Sequence, residues 1–299
     1  MKDTEYASIT GYLRVLEKRL LQSDAALRLI DAKDAEETVK LLAASTTLDF
    51  SSLTRPEDYE EVIRAELKRA YAEMANLAPD KSVVEIILSK YDYHNVKVAL
   101  KSKFLGKSHD RLYLDYTGIS PADIKEWTDK LPAHIVAALV LGEKTFTDSN
   151  DPQKLDIALD KHMFAHQREL AEKTGSEFLM EYVKLSIDFY NLKTFIRVKS
   201  MGRELGFLKE ALVREGTSYD YFTQNFDKAD DYGELEKLKG GALAAHIKKS
   251  KYVAFGPEIL LSYIFSKENE ARQIRIILTC KINNIDNEIL RERLRDNYA

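Results

Sequence analysis

The feature that most constrains this chain is one pattern used three times. Asp92, Asn95, Val96, Lys97, Leu100 and Lys103 fall at the same offsets as Asp188, Asn191, Leu192, Lys193, Ile196 and Lys199. They also match Glu270, Gln273, Ile274, Arg275, Leu278 and Lys281. The shared rule is acid, two residues, amide, apolar, base, two residues, apolar, two residues, base. No Gly or Pro interrupts 81–105, 177–201 or 258–281, so each copy reads as one long helix. We read the three copies as one helical unit repeated, with limits at 1–117, 118–216 and 217–299, packed as one rigid body.

Helix geometry says what the pattern does. At about 100° per residue, with Asp92 at zero, Asn95 falls near −60°, Val96 near 40° and Lys103 near 20°, whereas Lys97 falls near 140°. Polar and apolar signature positions therefore share a face. A carboxylate and an amide inside an apolar stripe must find hydrogen-bond partners if buried. Either Asp92, Asn95, Asp188, Asn191, Glu270 and Gln273 clamp neighbouring segments of their own unit, or they face a bound partner. Threefold use favours the clamp, because a packing solution is copied with its unit whereas one catalytic site need not be. Lys97, Lys193 and Arg275 point off that face and are candidate partner contacts.

The remaining helices follow from local signals. Leu13, Leu16, Leu20 and Leu21 recur at helical spacing, which predicts one amphipathic helix over about Thr4–Leu29. Asp34 caps a second, with Glu36 and Glu37 in its first turn. Further helices are expected over Pro56–Asn76, Lys81–Leu105, Asp156–Lys173, Glu177–Met201, Phe207–Arg214 and Ala242–Lys249. Ser120-Pro121 opens another. A helix is also expected between loop-like stretches at Lys228–Gly233 and Lys239–Gly241. Only Tyr113–Tyr116 reads as a short extended piece. With 12 Gly and 6 Pro in 299 residues, the class is all-α.

Charge and composition exclude several functions. The net charge is −4, from 45 basic and 49 acidic residues, without the basic stripe of a nucleic-acid protein. One cysteine, Cys280, excludes an intramolecular disulfide framework and fits a reducing cytosol. The N-terminal Met1-Lys-Asp-Thr-Glu has no apolar stretch of signal-peptide type. The longest apolar run, Ile135–Leu141, is far short of the roughly 20 residues of a membrane span.

The search for chemistry finds fragments. Gly106-Lys107-Ser108 has Lys101 where a phosphate loop needs its first Gly, and it follows a helix instead of a strand. His162 and His166 stand four apart, but Met163 occupies the place of a zincin glutamate, so packed histidines are expected. Cys280 reads as a small packed side chain. Asp227, Asp230 and Asp231 do not have EF-hand spacing. No catalytic residue, cofactor or metal ligand is therefore assigned. Arg291, Arg293 and Arg295 form a basic cluster that is either a solvated face or a docking face for an acidic partner.

Several blocks along the chain resemble a known family: Tyr12–Leu21, Asp34–Leu42, Asp151-Pro152, Phe178–Tyr182, Ile187–Lys193, Gly256-Pro-Glu258, Lys267-Glu268, Arg275–Leu278 and Arg291–Leu294. The chain is similar to the central-stalk component of V-type and archaeal-type rotary ATPases, known as the C subunit in bacteria and archaea and the d subunit in eukaryotes. After Lys281 the family tends to have Gly and Pro, where this chain has Asn283-Asn284 and Asp286. Asn tolerates the left-handed region and Asp can cap a helix, so the turn can survive. The resemblance implies a funnel of three similar units about a pseudo-threefold axis. It implies a non-catalytic part on the cytoplasmic face of the membrane, seated on the proteolipid rotor ring, receiving the central shaft and passing torque for proton or sodium transport. An all-α repeat adaptor outside any ATPase is the alternative, and an all-α enzyme a third reading. Retention on a membrane ring separates the first from the others, and a turnover assay separates the last.

Overall fold

The computed structural model describes residues 3–51, 53–227 and 241–298, and every regular element among them is helical. Two compact units divide the chain. One holds 80–246, and the other is assembled from 2–79 and 247–299.

In the first unit, α5 (Lys81–Leu105), α7 (Ala133–Ser149) and α8 (Pro152–Thr174) pack together. Gly142 of α7 makes this possible: a Cβ there would lie 2.4 Å from Leu100 Cδ1 and 3.4 Å from Leu159 Cδ2. Phe104 stacks on Phe146 at 4.1 Å near one end of the α5–α7 contact. The short α6 (Pro121–Glu126) is capped by Ser120, whose hydroxyl accepts from the Ala122 amide at 3.3 Å. Then α9 (Glu177–Ser200) gathers α10 (Leu205–Ala211) and α11 (Tyr219–Gln224) around Leu192, Phe195, Leu208, Leu212 and Phe222. Residues 241–248 form α12. The helix expected between Lys228 and Gly240 lies outside the described residues.

In the second unit, α13 (Pro257–Ile282) is the axis. It buries Leu260, Leu261, Ile264, Ile274, Ile277 and Leu278 at no more than 1% exposure, so apolar residues surround it instead of forming one stripe. Around it lie α1 (Ala7–Glu17), α3 (Ala35–Ser45) and α4 (Tyr59–Leu77). The α2 (Ser23–Asp31) and α14 (Asn287–Tyr298) helices pack on each other. Cys280 is fully buried within α13, as expected of a packed thiol.

Most boundaries fall within a few residues of expectation. Gly106, Gly175 and Gly202 end their helices at positive φ of 61°, 68° and 62°, where a Cβ would be strained. After α13, Asn284 takes φ 51° and Asp286 accepts from the Glu288 amide at 2.6 Å, so the Asn–Asp turn does the work of Gly and a cap. One expectation fails. The single helix over Thr4–Leu29 is broken into a 3₁₀ turn (Asp3–Tyr6), α1 and α2. Nothing in Lys18–Gln22 breaks a helix by itself. The chain tightens first, with the Arg19 and Leu20 amides donating to the carbonyls three residues back at 2.9 and 3.3 Å, and the Leu21 amide then donates to Glu270 of α13 at 2.8 Å, which holds the chain out of a continuous helix.

Candidate functional site

The three signature helices each hold a short helix at both ends. In α9, Asn191 is fully buried and grips the backbone at Val213 with both ends of its amide. Its Nδ2 donates to the Val213 carbonyl and its Oδ1 accepts from the Val213 amide, each at 2.8 Å. Asn95 does the same at Leu114, at 2.7 and 2.9 Å. The acid sits one turn earlier and takes the next residues of the same loop. Asp188 accepts from the Thr217 amide at 2.7 Å, the Ser218 amide at 2.8 Å, the Ser218 hydroxyl at 2.7 Å and the Thr217 hydroxyl. Asp92 accepts from the Thr117 hydroxyl. In α13, Glu270 accepts from the Leu21 amide at 2.8 Å.

In all three cases the gripped residue lies just before a short helix: α6 after Thr117, α11 after Ser218, α2 after Leu21. The last base of the signature reaches the far end of that same helix. Lys199 donates to the Phe226 carbonyl at 2.8 Å, and Lys281 to the Ile30 and Ala32 carbonyls at 2.6 Å each. Lys103 stands over the Trp127 ring at the α6 C-cap, 5.0 Å from its centroid, and pairs with Glu143 at 2.6 Å. Eleven residues separate acid from base, about 16 Å along a helix, which spans a capped helix of six to nine residues. The carboxyl group meets the N-terminal end and the basic group the C-terminal end, the order the helix dipole favours for an ionised carboxylate. In the α13 copy the captured helix is α2, from the opposite end of the chain. Gln273 is also buried, at 3% exposure.

The candidate contact bases are placed differently from one another. Lys97 was expected off the polar face, yet it is only 20% exposed and pairs with Asp160 at 2.5 Å. With Lys101, Asp156 and Arg197 it lines a concavity of about 400 Å³ in the first unit. Arg275 forms a two-pronged bond to Glu60, at 2.9 and 2.7 Å. Lys193 is exposed, its Nζ 4.2 Å from the Phe189 ring centroid. Arg291 pairs with Asp31 of α2. The side chains of Arg293 and Arg295 lie outside the described residues.

Two clusters were missed in the sequence. Lys267 is 2% exposed and joins Glu66 and Glu270, both at 2.8 Å, with Thr47 at 3.2 Å. Burial pushes the Glu66 carboxyl up, but hydrogen bonds from Arg69 and Lys267 outweigh it and hold it below the usual range. The only sequence signal was Lys267 standing one turn before Glu270.

The second cluster joins Glu85, His134 and His166, whose ligand atoms all lie within 4.8 Å of one another. His166 meets Glu85 at 2.8 Å, and His134 stacks on His166 with centroids 4.0 Å apart and planes 14° from parallel. His162, four residues before His166, bonds Tyr93 at 2.7 Å. Burial pulls His134 down to about 4, and His166 at its side adds to this. The three ligand atoms are close enough together to meet one divalent cation. The stacking opposes this: an ion shared by both rings would sit about 2 Å out of each plane, nearly a whole N–metal bond length. The arrangement is a histidine stack beside a carboxylate.

Known proteins are similar to this chain over nearly its whole length. The chain is 24% identical to the C subunit of the V-type sodium ATPase of Enterococcus hirae, with 98% of this chain and 99% of that protein covered. It is 25% identical to the C subunit of the A-type ATP synthase of Methanocaldococcus jannaschii, covering 97% and 86%. It is 21% identical to the corresponding protein of Methanococcoides burtonii, covering 97% and 94%. The family model described as ATP synthase (C/AC39) subunit matches residues 9–221 and 208–293. With all three signature helices inside the matched residues, the chain belongs to the ATP synthase (C/AC39) subunit family.

Proposed function

We propose that this chain is the non-catalytic central-stalk subunit of a V- or A-type rotary ATPase or ATP synthase. In this reading it sits on the cytoplasmic face of the membrane. It joins the soluble shaft to the proteolipid rotor ring and passes torque that drives, or is driven by, proton or sodium movement. The observation that carries the reading is end-to-end alignment with relatives named as the C subunit of such enzymes. No described helix is long and apolar enough to cross a membrane, so attachment to a ring would be through surface contacts.

The physical argument is stiffness. A torque-bearing part must not shear, and each signature helix holds its short helix by an acid at one end and a base at the other. Dense packing around α13 and the buried Glu66–Lys267–Glu270 group add to this. We propose three such units, the third closed by the N-terminal α2. Among the candidate contacts, Lys193, Arg291, Arg293 and Arg295 belong to the ring or shaft surface in this reading, and Lys97 and Arg275 act through the acids they hold.

The test is recovery of the tagged chain from detergent-solubilised membranes, with partners identified by mass. Recovery of a small proteolipid together with shaft subunits supports the proposal. A folded, soluble chain that brings down neither overturns it and leaves the free adaptor.

A further inference from the structure

The turn before α13 carries a second kind of surface. Between 247 and 257 the sequence has Lys248, Lys249 and Lys251 and no Asp or Glu. The structure folds this stretch into a 3₁₀ turn, Lys249–Tyr252, followed by extended backbone at Val253. One side of the turn is fastened inward. Ile247 and Ser250 are 4% and 0% exposed, and the Arg14 guanidinium of α1 donates to the Ser250 carbonyl at 2.9 Å and the Val253 carbonyl at 3.4 Å. The other side faces out: all three lysines and Ala254 are exposed, Phe255 is 39% exposed, and Tyr252 is 92% exposed.

A tyrosine this exposed contributes almost nothing to folding, while its turn is pinned so that it must protrude. Single exposed apolar side chains are common, but an aromatic held out at 92% exposure beside three lysines is placed to enter a pocket or a soft phase. Tyrosine, with an apolar ring and a polar tip, suits the headgroup layer of a bilayer. Lysines beside it favour an anionic layer, each raising partitioning about five-fold near such a surface. The whole chain is net negative, so attraction to an anionic layer depends on which face meets it, and this turn offers three lysines with no acid between 247 and 257.

We propose that 248–255 is a contact for anionic phospholipid headgroups, with the three lysines on the phosphates and Tyr252 and Phe255 at the level of the glycerol backbone. The inference rests on this turn alone and does not require the rotor assignment.

The test uses the full chain and protein-free vesicles of phosphatidylcholine with or without phosphatidylserine, sedimented at low and high salt. Three lysines predict on the order of 10²-fold tighter association with the anionic vesicles, falling steeply with salt. K248E/K249E/K251E should bring binding down to the level of neutral vesicles, and Y252S/F255S should weaken it several-fold. All these side chains are exposed, so a circular-dichroism melt within a degree or two of the parent verifies folding. Equal association with both vesicle types, or unchanged binding by both variants, overturns the proposal. So does capture by native membranes only, with none by pure lipid, which would mean a protein surface occupies the turn. Failure here leaves ring and shaft recovery unaffected, so the two readings fail separately.

Discussion

Replacing Asn191 by Ala tests the clamp, with Asn95→Ala as its internal control. Both amides make the same two bonds to one backbone residue. Their surroundings differ: Val213 is 1% exposed, whereas Leu114 is half-buried. Asn191→Ala strands a buried amide and a buried carbonyl, each costing about 1–3 kcal/mol, so the expected loss is about 4 kcal/mol. At Leu114 water can replace the lost partner, and Asn95→Ala should cost about 1–2 kcal/mol. Urea unfolding followed by circular dichroism gives the midpoints. Amide exchange at Val213 reads the clamp directly and should lose its protection in the α9 variant even where the global midpoint moves little. Equal losses within about 0.5 kcal/mol, or an Asn191→Ala cost below about 1 kcal/mol, would refute the reasoning that burial of the gripped residue sets the magnitude.

The other copies and clusters make further predictions. Burial raises the Asp92 carboxyl to about 7, with Glu85 adding to this and the Thr117 hydroxyl opposing it. The folded state therefore holds this proton more tightly than the unfolded chain. That contribution is full below about pH 4 and lost as pH rises toward 7, up to about 4 kcal/mol. Asp92→Asn should flatten the melting profile between those limits and raise the melting temperature at pH 8. Parallel profiles for the two proteins would count against it. Lys267→Met should cost about 3–5 kcal/mol by leaving Glu66 and Glu270 uncompensated, measured by urea midpoint. Gly216→Ala puts a Cβ 2.5 Å from Asp188 Oδ1 and 2.7 Å from Ile187 Cγ2, so a loss of about 1–3 kcal/mol is expected. Gly206→Ala, with open space around it, should be neutral or slightly stabilising in the same thermal scan.

Much of this protein is legible in the order of its residues. Helical period, few glycines and the signature's phase are enough to place α5, α9 and α13 almost to their ends, because propensity, capping and the burial of one face are local properties. The same phase puts Asp92, Asn95, Asp188 and Asn191 on a buried face, where they have to find partners. Which partners they find is a tertiary matter. Val213 lies 22 residues from Asn191, and Leu21 lies 249 from Glu270, separations no local rule reaches. For that reason the break between α1 and α2 is invisible in the sequence: Lys18–Gln22 carries no breaker, yet the turn there is fastened by a carboxylate from the far end of the chain, which takes the Leu21 amide. The pairing of Lys97 with Asp160, the gathering of Glu85, His134 and His166 from three helices, and the burial of Lys267 share that cause. Sequence states what each residue requires, and only the packing of distant segments decides which group supplies it.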